Sequence, residues 1–130
     1  MSTAGKHIKP TESELEILRI LWERGPSTVR EVHEVLEKIK DAGYTTTLKI
    51  MQIMHEKGLL QRDTSSKTHI YAAAVSQENT QRQLLDKMID TVFNGSASQL
   101  VLQALGNHKS SPEELERIKA YLNEIEKQQK

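Results

Sequence analysis

Four polar side chains lie at helical spacing in the stretch that follows Gly43. They are Thr45, Thr46, Lys49 and Gln52. A threonine offers both a hydroxyl and a methyl group, a lysine can donate to guanine or to phosphate, and a glutamine can pair with the edge of an adenine. These are the residue types that a helix needs to read base edges in the DNA major groove. A solvated helix face can have the same composition, so the surrounding elements must decide between the two interpretations.

Two further cations flank a polar turn. Residues 59–62 and 68–72 are short β-capable runs on either side of this turn, and together they predict a hairpin. Lys67 at its tip and Arg62 just before it could hold DNA phosphates, although an ordinary charged turn also carries such residues. We expect Tyr71 to pack in the core rather than to stack on a base.

The histidines and carboxylates are not spaced for metal binding or catalysis. The five histidines are His7, His33, His55, His69 and His108. No two of them are four residues apart and the chain has no cysteine, so a zinc site is weakly supported and we expect most of these histidines at the surface. Glu113, Glu114 and Glu116 fall in the first turn of a predicted helix, where negative charge favours the helix dipole. We therefore expect neither a cofactor nor enzymatic activity.

Two helices precede the polar stretch. Each begins with a capping-box pair, and these pairs are Thr11 with Glu14 and Thr28 with Glu31. Gly25 and Pro26 separate the helices because glycine tolerates the left-handed cap conformation and proline cannot continue a helix. Apolar residues recur at helical spacing in both, which gives the first helix a broad apolar face and the second a buried stripe. They are Leu15, Ile17, Leu18, Leu21 and Trp22 in the first helix, and Val29, Val32, Leu36 and Ile39 in the second.

The third helix is predicted to begin at Tyr44 or Thr45 and to end at Gly58. Its apolar stripe leaves the four polar side chains on the opposite face. The residues of this stripe are Thr47, Ile50, Met51 and Met54. Three helices followed by a hairpin predict a winged helix-turn-helix domain over residues 1–76. In this plan the third helix, at about 45–57, enters the major groove, and the hairpin lies on the DNA backbone.

Residues 77–130 are predicted to form three more helices. Seven apolar residues of this region exceed what a peripheral tail would carry: Leu100, Val101, Leu102, Leu105, Leu115, Ile118 and Leu122. We expect them to pair with their copies in a two-fold homodimer; packing against the first helix is the alternative. The fold class is thus mainly α with a small β-hairpin, a winged helix followed by a helical dimerisation region.

Composition limits the remaining classes. The 130 residues include 36% hydrophobic and only 4% aromatic side chains, which suits a small aliphatic core. No apolar run approaches the roughly 18 residues of a membrane span, and the polar N-terminal stretch lacks a signal-peptide core, so a cytoplasmic location is expected. The formal net charge is zero, which argues against a nucleic-acid partner, but residues 44–72 form a mildly basic segment.

The order and spacing of eight short segments resemble those of the penicillinase and methicillin-resistance repressors, the BlaI/MecI/CopY group. The segments are residues 11–16 (TESELE), 21–22 (LW), 27–32 (STVREV), 44–47 (YTTT), 57–60 (KGLL), 67–71 (KTHIY), 93–96 (FNGS) and 111–115 (SPEEL). The resemblance extends from Thr11 to the C-terminus. It implies a winged-helix dimer that occupies palindromic operators in double-stranded DNA and blocks transcription.

The same resemblance implies how repression is relieved. In the best-known members a membrane receptor with a metalloprotease domain senses a β-lactam, and the repressor is then cut in its dimerisation segment. The scissile Asn-Phe pair of the family falls here on Gln103 and Ala104, which departs from the pattern. The cysteine cluster of the copper-responsive branch is absent. Ile53 and Glu56 stand where the family commonly has basic residues and Leu48 sits near the groove face, so a different operator is expected.

Two other function classes fit the same elements. A winged-helix regulator that responds to a small ligand would need an apolar pocket between the dimer helices. A winged-helix adaptor that binds another protein would suit the neutral charge. The repressor interpretation accounts for more of the chain, and DNA binding separates it from the adaptor.

Overall fold

The computed structural model describes residues 9–129, which contain six helices and one hairpin. The elements are α1 (Glu12–Arg24), α2 (Val29–Glu37), α3 (Tyr44–Glu56), β1 (Leu60–Asp63), β2 (Ile70–Ala73), α4 (Gln77–Val92), α5 (Ala97–Asn107) and α6 (Pro112–Gln128). This order confirms the predicted fold class, a mainly α chain with a small β-hairpin after the third helix, while the dimerisation role of the last helices stays a prediction. His7, the rest of residues 1–8, and Lys130 lie outside the described residues.

The first two helices begin at the predicted caps. The Thr11 hydroxyl accepts from the Glu14 backbone N–H at 3.2 Å, while the Glu14 carboxylate accepts from the Thr11 backbone N–H at 2.9 Å. Thr28 and Glu31 repeat this reciprocal arrangement at 3.1 and 2.9 Å. Gly25 ends α1 at a φ of 88°, a conformation that disfavours residues with a Cβ.

The core of the first compact unit lies between α1, α2, α3 and the hairpin. Its largest fully buried apolar side chains are Ile17, Leu18, Val32, Met51, Met54, Leu59 and Tyr71. The prediction that Ile39 is buried is wrong, since this side chain is 64% exposed. The helix α2 ends at Glu37, so Ile39 no longer follows the helical stripe.

The hairpin is attached to the helices by backbone hydrogen bonds. Antiparallel pairing places Leu60 opposite Ala73 and Asp63 opposite Ile70. Ser27, between α1 and α2, forms an additional bridge to Tyr71, with N–H to carbonyl distances of 2.9 and 2.8 Å. Tyr71 is buried, which confirms its predicted place in the core.

The chain divides into two compact units, of which the first ends at Leu84 and the second begins at Leu85, within α4. The sequence Ser111-Pro112-Glu113-Glu114 predicts a capped helix start, and α6 begins there, with a capping box between Ser111 and Glu114. The prediction that Gly106 ends α5 is wrong, because the helix continues through Gly106 to Asn107. The boundary predicted after residue 76 remains a prediction.

Apolar side chains of the second unit face outward, and neither α5 nor α6 contains a buried residue. The exposed large apolar residues of this unit are Leu85, Met88, Val92, Val101, Leu102, Leu105, Leu115, Tyr121 and Leu122. Leu102 is 70% exposed. Among residues 9–129, no helix has both the length and the apolar content of a membrane span.

Candidate nucleic-acid interface

Helix α3 has one buried face and one exposed face. Thr47, Met51 and Met54 are buried, as their spacing predicts. Ile50, the fourth residue of the predicted stripe, is only half-buried. The opposite face carries exposed polar side chains, namely Thr45, Thr46, Lys49 and Gln52. This face therefore holds several hydrogen-bonding groups on a helix whose rotation is fixed by its core residues.

A buried histidine fixes the N-terminal end of α3. His33 of α2 is only 7% exposed, unlike the surface position expected for most histidines. Its Nδ1 lies 3.0 Å from the Thr47 hydroxyl and its Nε2 lies 3.3 Å from a Glu37 carboxylate oxygen. The Thr47 hydroxyl is also 3.2 Å from the Gly43 carbonyl. The start of α3 is thus joined to α2 by polar side chains inside the domain.

An ion pair fixes the C-terminal end of the same helix. The Lys57 ammonium donates to both carboxylate oxygens of Glu14, at 2.8 and 2.9 Å. The Glu14 side chain is 6% exposed and that of Lys57 is 35% exposed. Because Glu14 also belongs to the α1 capping box, this contact links the beginning of α1 to the end of α3.

An open groove of about 480 Å³ lies between the start of α2, helix α3 and the hairpin. Its lining residues are Thr28, Val29, Arg30, Tyr44, Leu48, Gln52, Lys67, Thr68, His69 and Tyr71. None of these residues carries a carboxylate. Arg30 lies over the Tyr44 ring, with its guanidinium carbon 5.3 Å from the ring centroid. Three of the predicted DNA-contact residues, Leu48, Gln52 and Lys67, line this groove.

The other selected DNA-contact residues do not line the groove. Thr45, Thr46 and Lys49 are exposed on α3, and Arg62 is exposed on β1. All seven roles in DNA contact remain predictions. Sequence reasoning missed Arg30 and Tyr44, which are 14 positions apart and meet only because α2 packs on α3. No local pattern could have revealed this pair.

Four cations in and beside the groove have no carboxylate partner among residues 9–129. Arg24, Lys40 and Lys57 each lie within 4.0 Å of a glutamate. Across residues 9–129, no such pair forms at the cations of the groove and its surroundings, which are Arg30, Lys49, Arg62 and Lys67. Their charges are therefore available to an external anion, even though the formal net charge of the chain is zero.

The hairpin turn contains one carboxylate that has an internal partner. The Ser65 backbone N–H donates to Asp63 Oδ1 at 2.9 Å. This bond, together with the Ser65 side chain, holds the pKa of the Asp63 carboxyl below its ordinary value.

Among residues 9–129, no cluster of three histidine or carboxylate residues could hold a metal ion.

Comparison with known proteins shows similarity along almost the entire chain. The family model described as penicillinase repressor matches residues 10–124. The penicillinase repressor of Staphylococcus aureus is 19% identical over 124 residues, which cover 95% of this chain and 98% of that protein. The methicillin resistance regulatory protein MecI of Staphylococcus aureus (strain N315) is 22% identical over 113 residues, covering 87% of this chain and 92% of MecI.

A higher identity occurs over a shorter stretch. The transcriptional regulator BlaI of Mycobacterium tuberculosis is 37% identical over 60 residues, which cover 45% of this chain and 44% of that protein. Because the family model spans most of the chain, the chain belongs to the penicillinase repressor family. This is a family of transcriptional repressors and not of enzymes.

Proposed function

We propose that this member of the penicillinase repressor family represses transcription by binding DNA with the exposed face of α3 in the major groove. The observation that carries this proposal is that α3 has one buried face and one exposed polar face. Buried Thr47, Met51 and Met54 orient the helix, and the exposed Lys49 and Gln52 then point away from the core. A lysine can donate to guanine O6 or N7 and a glutamine can pair with adenine N6 and N7.

The hairpin would contact the DNA backbone beside the major groove that α3 enters. Lys67 and Arg62 are exposed and have no carboxylate partner within the described residues. Contacts of this kind position a protein on the duplex without specifying its sequence. The backbone bonds between Ser27 and Tyr71 support this role, since they join the hairpin to the loop between α1 and α2.

The repressor would act as a homodimer on a palindromic operator. The exposed apolar residues of the second unit support a two-fold interface, since a surface of this kind is stable in water only when a partner covers it. Two copies would then place two α3 helices in successive major grooves, about one helical turn of DNA apart.

Relief of repression would act on the same C-terminal region. Any signal that separates the protomers uncouples the two half-sites, so the region around Gln103 and Ala104, both exposed on α5, is a suitable target. The resemblance described above suggests a membrane sensor-protease as the source of that signal. The Gln-Ala sequence differs from the pair cut in the family, so the position of a cut would have to be mapped.

Footprinting tests the proposed function directly. The full chain is titrated onto DNA from upstream of its own gene, with a scrambled duplex of equal length as the control. We expect two protected half-sites with centres about 10 base pairs or a multiple of that apart. Equal affinity for both duplexes would contradict sequence-specific repression, and no binding to either would favour a protein-interaction adaptor.

A further inference from the structure

We propose that Arg30, held against the ring of Tyr44, is a DNA phosphate-binding residue at the groove between α2, α3 and the hairpin. This inference rests on the proposed function and adds to it a residue of α2, outside both the reading helix and the hairpin. The ligand is a single phosphodiester of the DNA backbone. The lining of the groove includes a second cation, Lys67 of the hairpin.

Contacts on two sides orient the Tyr44 ring. Arg30 lies over the ring at 5.3 Å, and His33 meets it edge-on, with ring centroids 5.5 Å apart and planes at 86°. His33 is itself held by Thr47 and Glu37. The ring is therefore a support that belongs to the folded domain, and it gives the guanidinium a defined position at the protein surface.

The charges around Arg30 favour an anion from outside the chain. The carboxylate of Glu31, the next residue in the chain, is paired with Arg24, with a nitrogen to oxygen distance of 3.8 Å. Arg30 is exposed and has no carboxylate within 4.0 Å among residues 9–129. The residues that line the groove include two cations and no carboxylate. A phosphate entering this groove would meet only attractive formal charges from its walls.

An arginine held over an aromatic ring is well suited to phosphate. The guanidinium carbon lies 5.3 Å from the centroid of the Tyr44 ring, within cation–π range, and the N–H groups of the guanidinium can make a bidentate contact with phosphate oxygens. The contact with the ring also restricts the side chain before DNA binds, so less conformational entropy is lost on binding. A lysine at this position would supply charge without the fork geometry, and the two residues can therefore be distinguished by experiment.

Four substitutions test the contact between Arg30 and Tyr44 in operator titrations at several salt concentrations. Arg30→Ala should weaken binding about ten-fold and lower the salt slope by about one per protomer. Arg30→Lys should keep the slope but still weaken binding. Tyr44→Phe should bind as the unsubstituted chain does because the ring is retained, whereas Tyr44→Leu should weaken binding. Arg19→Ala, which removes an exposed arginine of α1, is the matched control.

Operator duplexes in which single phosphates are made neutral can identify the phosphate that Arg30 contacts. A set of operator duplexes is prepared, each with a methylphosphonate at one backbone position. The unsubstituted chain should lose affinity at a particular phosphate of each half-site, and Arg30→Ala should be indifferent to neutralisation there. Arg30→Ala with unchanged affinity, or with the same phosphate profile as the unsubstituted chain, would overturn this inference alone. Failure of the unsubstituted chain to bind the operator would overturn the proposed function as well.

Discussion

Within α3, the surroundings of each side chain determine what a substitution can change. Lys49 is exposed and makes no ion pair among the described residues, so its removal leaves the packing of the domain intact. Thr47 has the same hydroxyl chemistry as Thr45 and Thr46, yet it is buried against His33. A substitution of Thr47 would alter the fold and binding together, which makes Lys49 the better probe of recognition.

Lys49→Ala should weaken specific operator binding while leaving stability unchanged. A lost base contact typically costs about 1–3 kcal/mol of binding free energy, and an exposed substitution changes folding by at most about 0.5 kcal/mol. Binding isotherms with the operator and with scrambled DNA measure the effect, and Lys38→Ala, another exposed lysine, serves as the control. Equal losses on both duplexes would place Lys49 on a phosphate, and an unchanged affinity would mean that this face does not read DNA.

The sequence alone predicted the burial of some single residues but not of others. Helical periodicity was sufficient to separate Met51 and Met54 from Lys49 and Gln52, because this property depends only on spacing along one helix. The position of His33 could not be foreseen in the same way. Its burial depends on Thr47 and Glu37, and Thr47 comes from a different helix. The Arg30–Tyr44 contact is also tertiary, so no spacing rule predicts it.

At the level of elements, helix beginnings were easier to predict than helix ends. The caps at Thr11, Thr28 and Ser111 are local hydrogen-bonding patterns, and all three occur in the structure. The end of α2 at Glu37 has no glycine or proline next to it, so the apolar spacing extended the predicted stripe to Ile39. Helix α3 also has no side-chain cap, and its N-cap is Gly43. Its position depends on neighbouring elements.

The Glu14–Lys57 pair provides a test of that dependence. Lys57→Met should lower the free energy of unfolding by about 3 kcal/mol because it leaves the buried Glu14 carboxylate without its partner. Glu14→Gln should cost less, about 1 kcal/mol, since an amide can still cap α1 and the freed ammonium can reach water. Urea unfolding followed by fluorescence of Trp22, the one tryptophan of the chain, measures both values.

The Lys40–Glu16 ion pair, which is more exposed, serves as the control for the Glu14–Lys57 pair. Lys40→Met removes the Lys40–Glu16 bridge, which has a similar length of 2.9 Å but leaves 32% of the glutamate side chain exposed. We expect this variant to lose less than about 1 kcal/mol, as exposed ion pairs do. If Lys57→Met and Lys40→Met were equally stable, burial of Glu14 would not matter and the link between α1 and α3 would be weak.

For the whole molecule, the two compact units differ in how many of their apolar side chains are buried. The first unit buries its apolar residues around Ile17, Met51 and Tyr71, whereas the second exposes Val92, Leu102 and many others. The spacing of apolar residues could predict that residues 77–130 are helical and amphipathic. It could not predict which of these apolar residues one chain leaves exposed, because that depends on tertiary packing.

Leu102→Asp should convert the proposed dimer to monomers. Leu102 is 70% exposed in one chain, so the substitution would do little harm to an isolated protomer. In a two-fold interface it would instead bury two unpaired carboxylates, each at a cost of several kcal/mol, and dissociation would relieve that cost. Operator affinity should fall steeply, since the two half-sites would no longer be bound together, while the first unit stays folded. Gln103→Asp adds the same charge at a polar position of α5 and should remain dimeric. Sedimentation of both variants decides the matter: a Leu102→Asp chain that sediments as a dimer would mean that this face of α5 lies outside the interface.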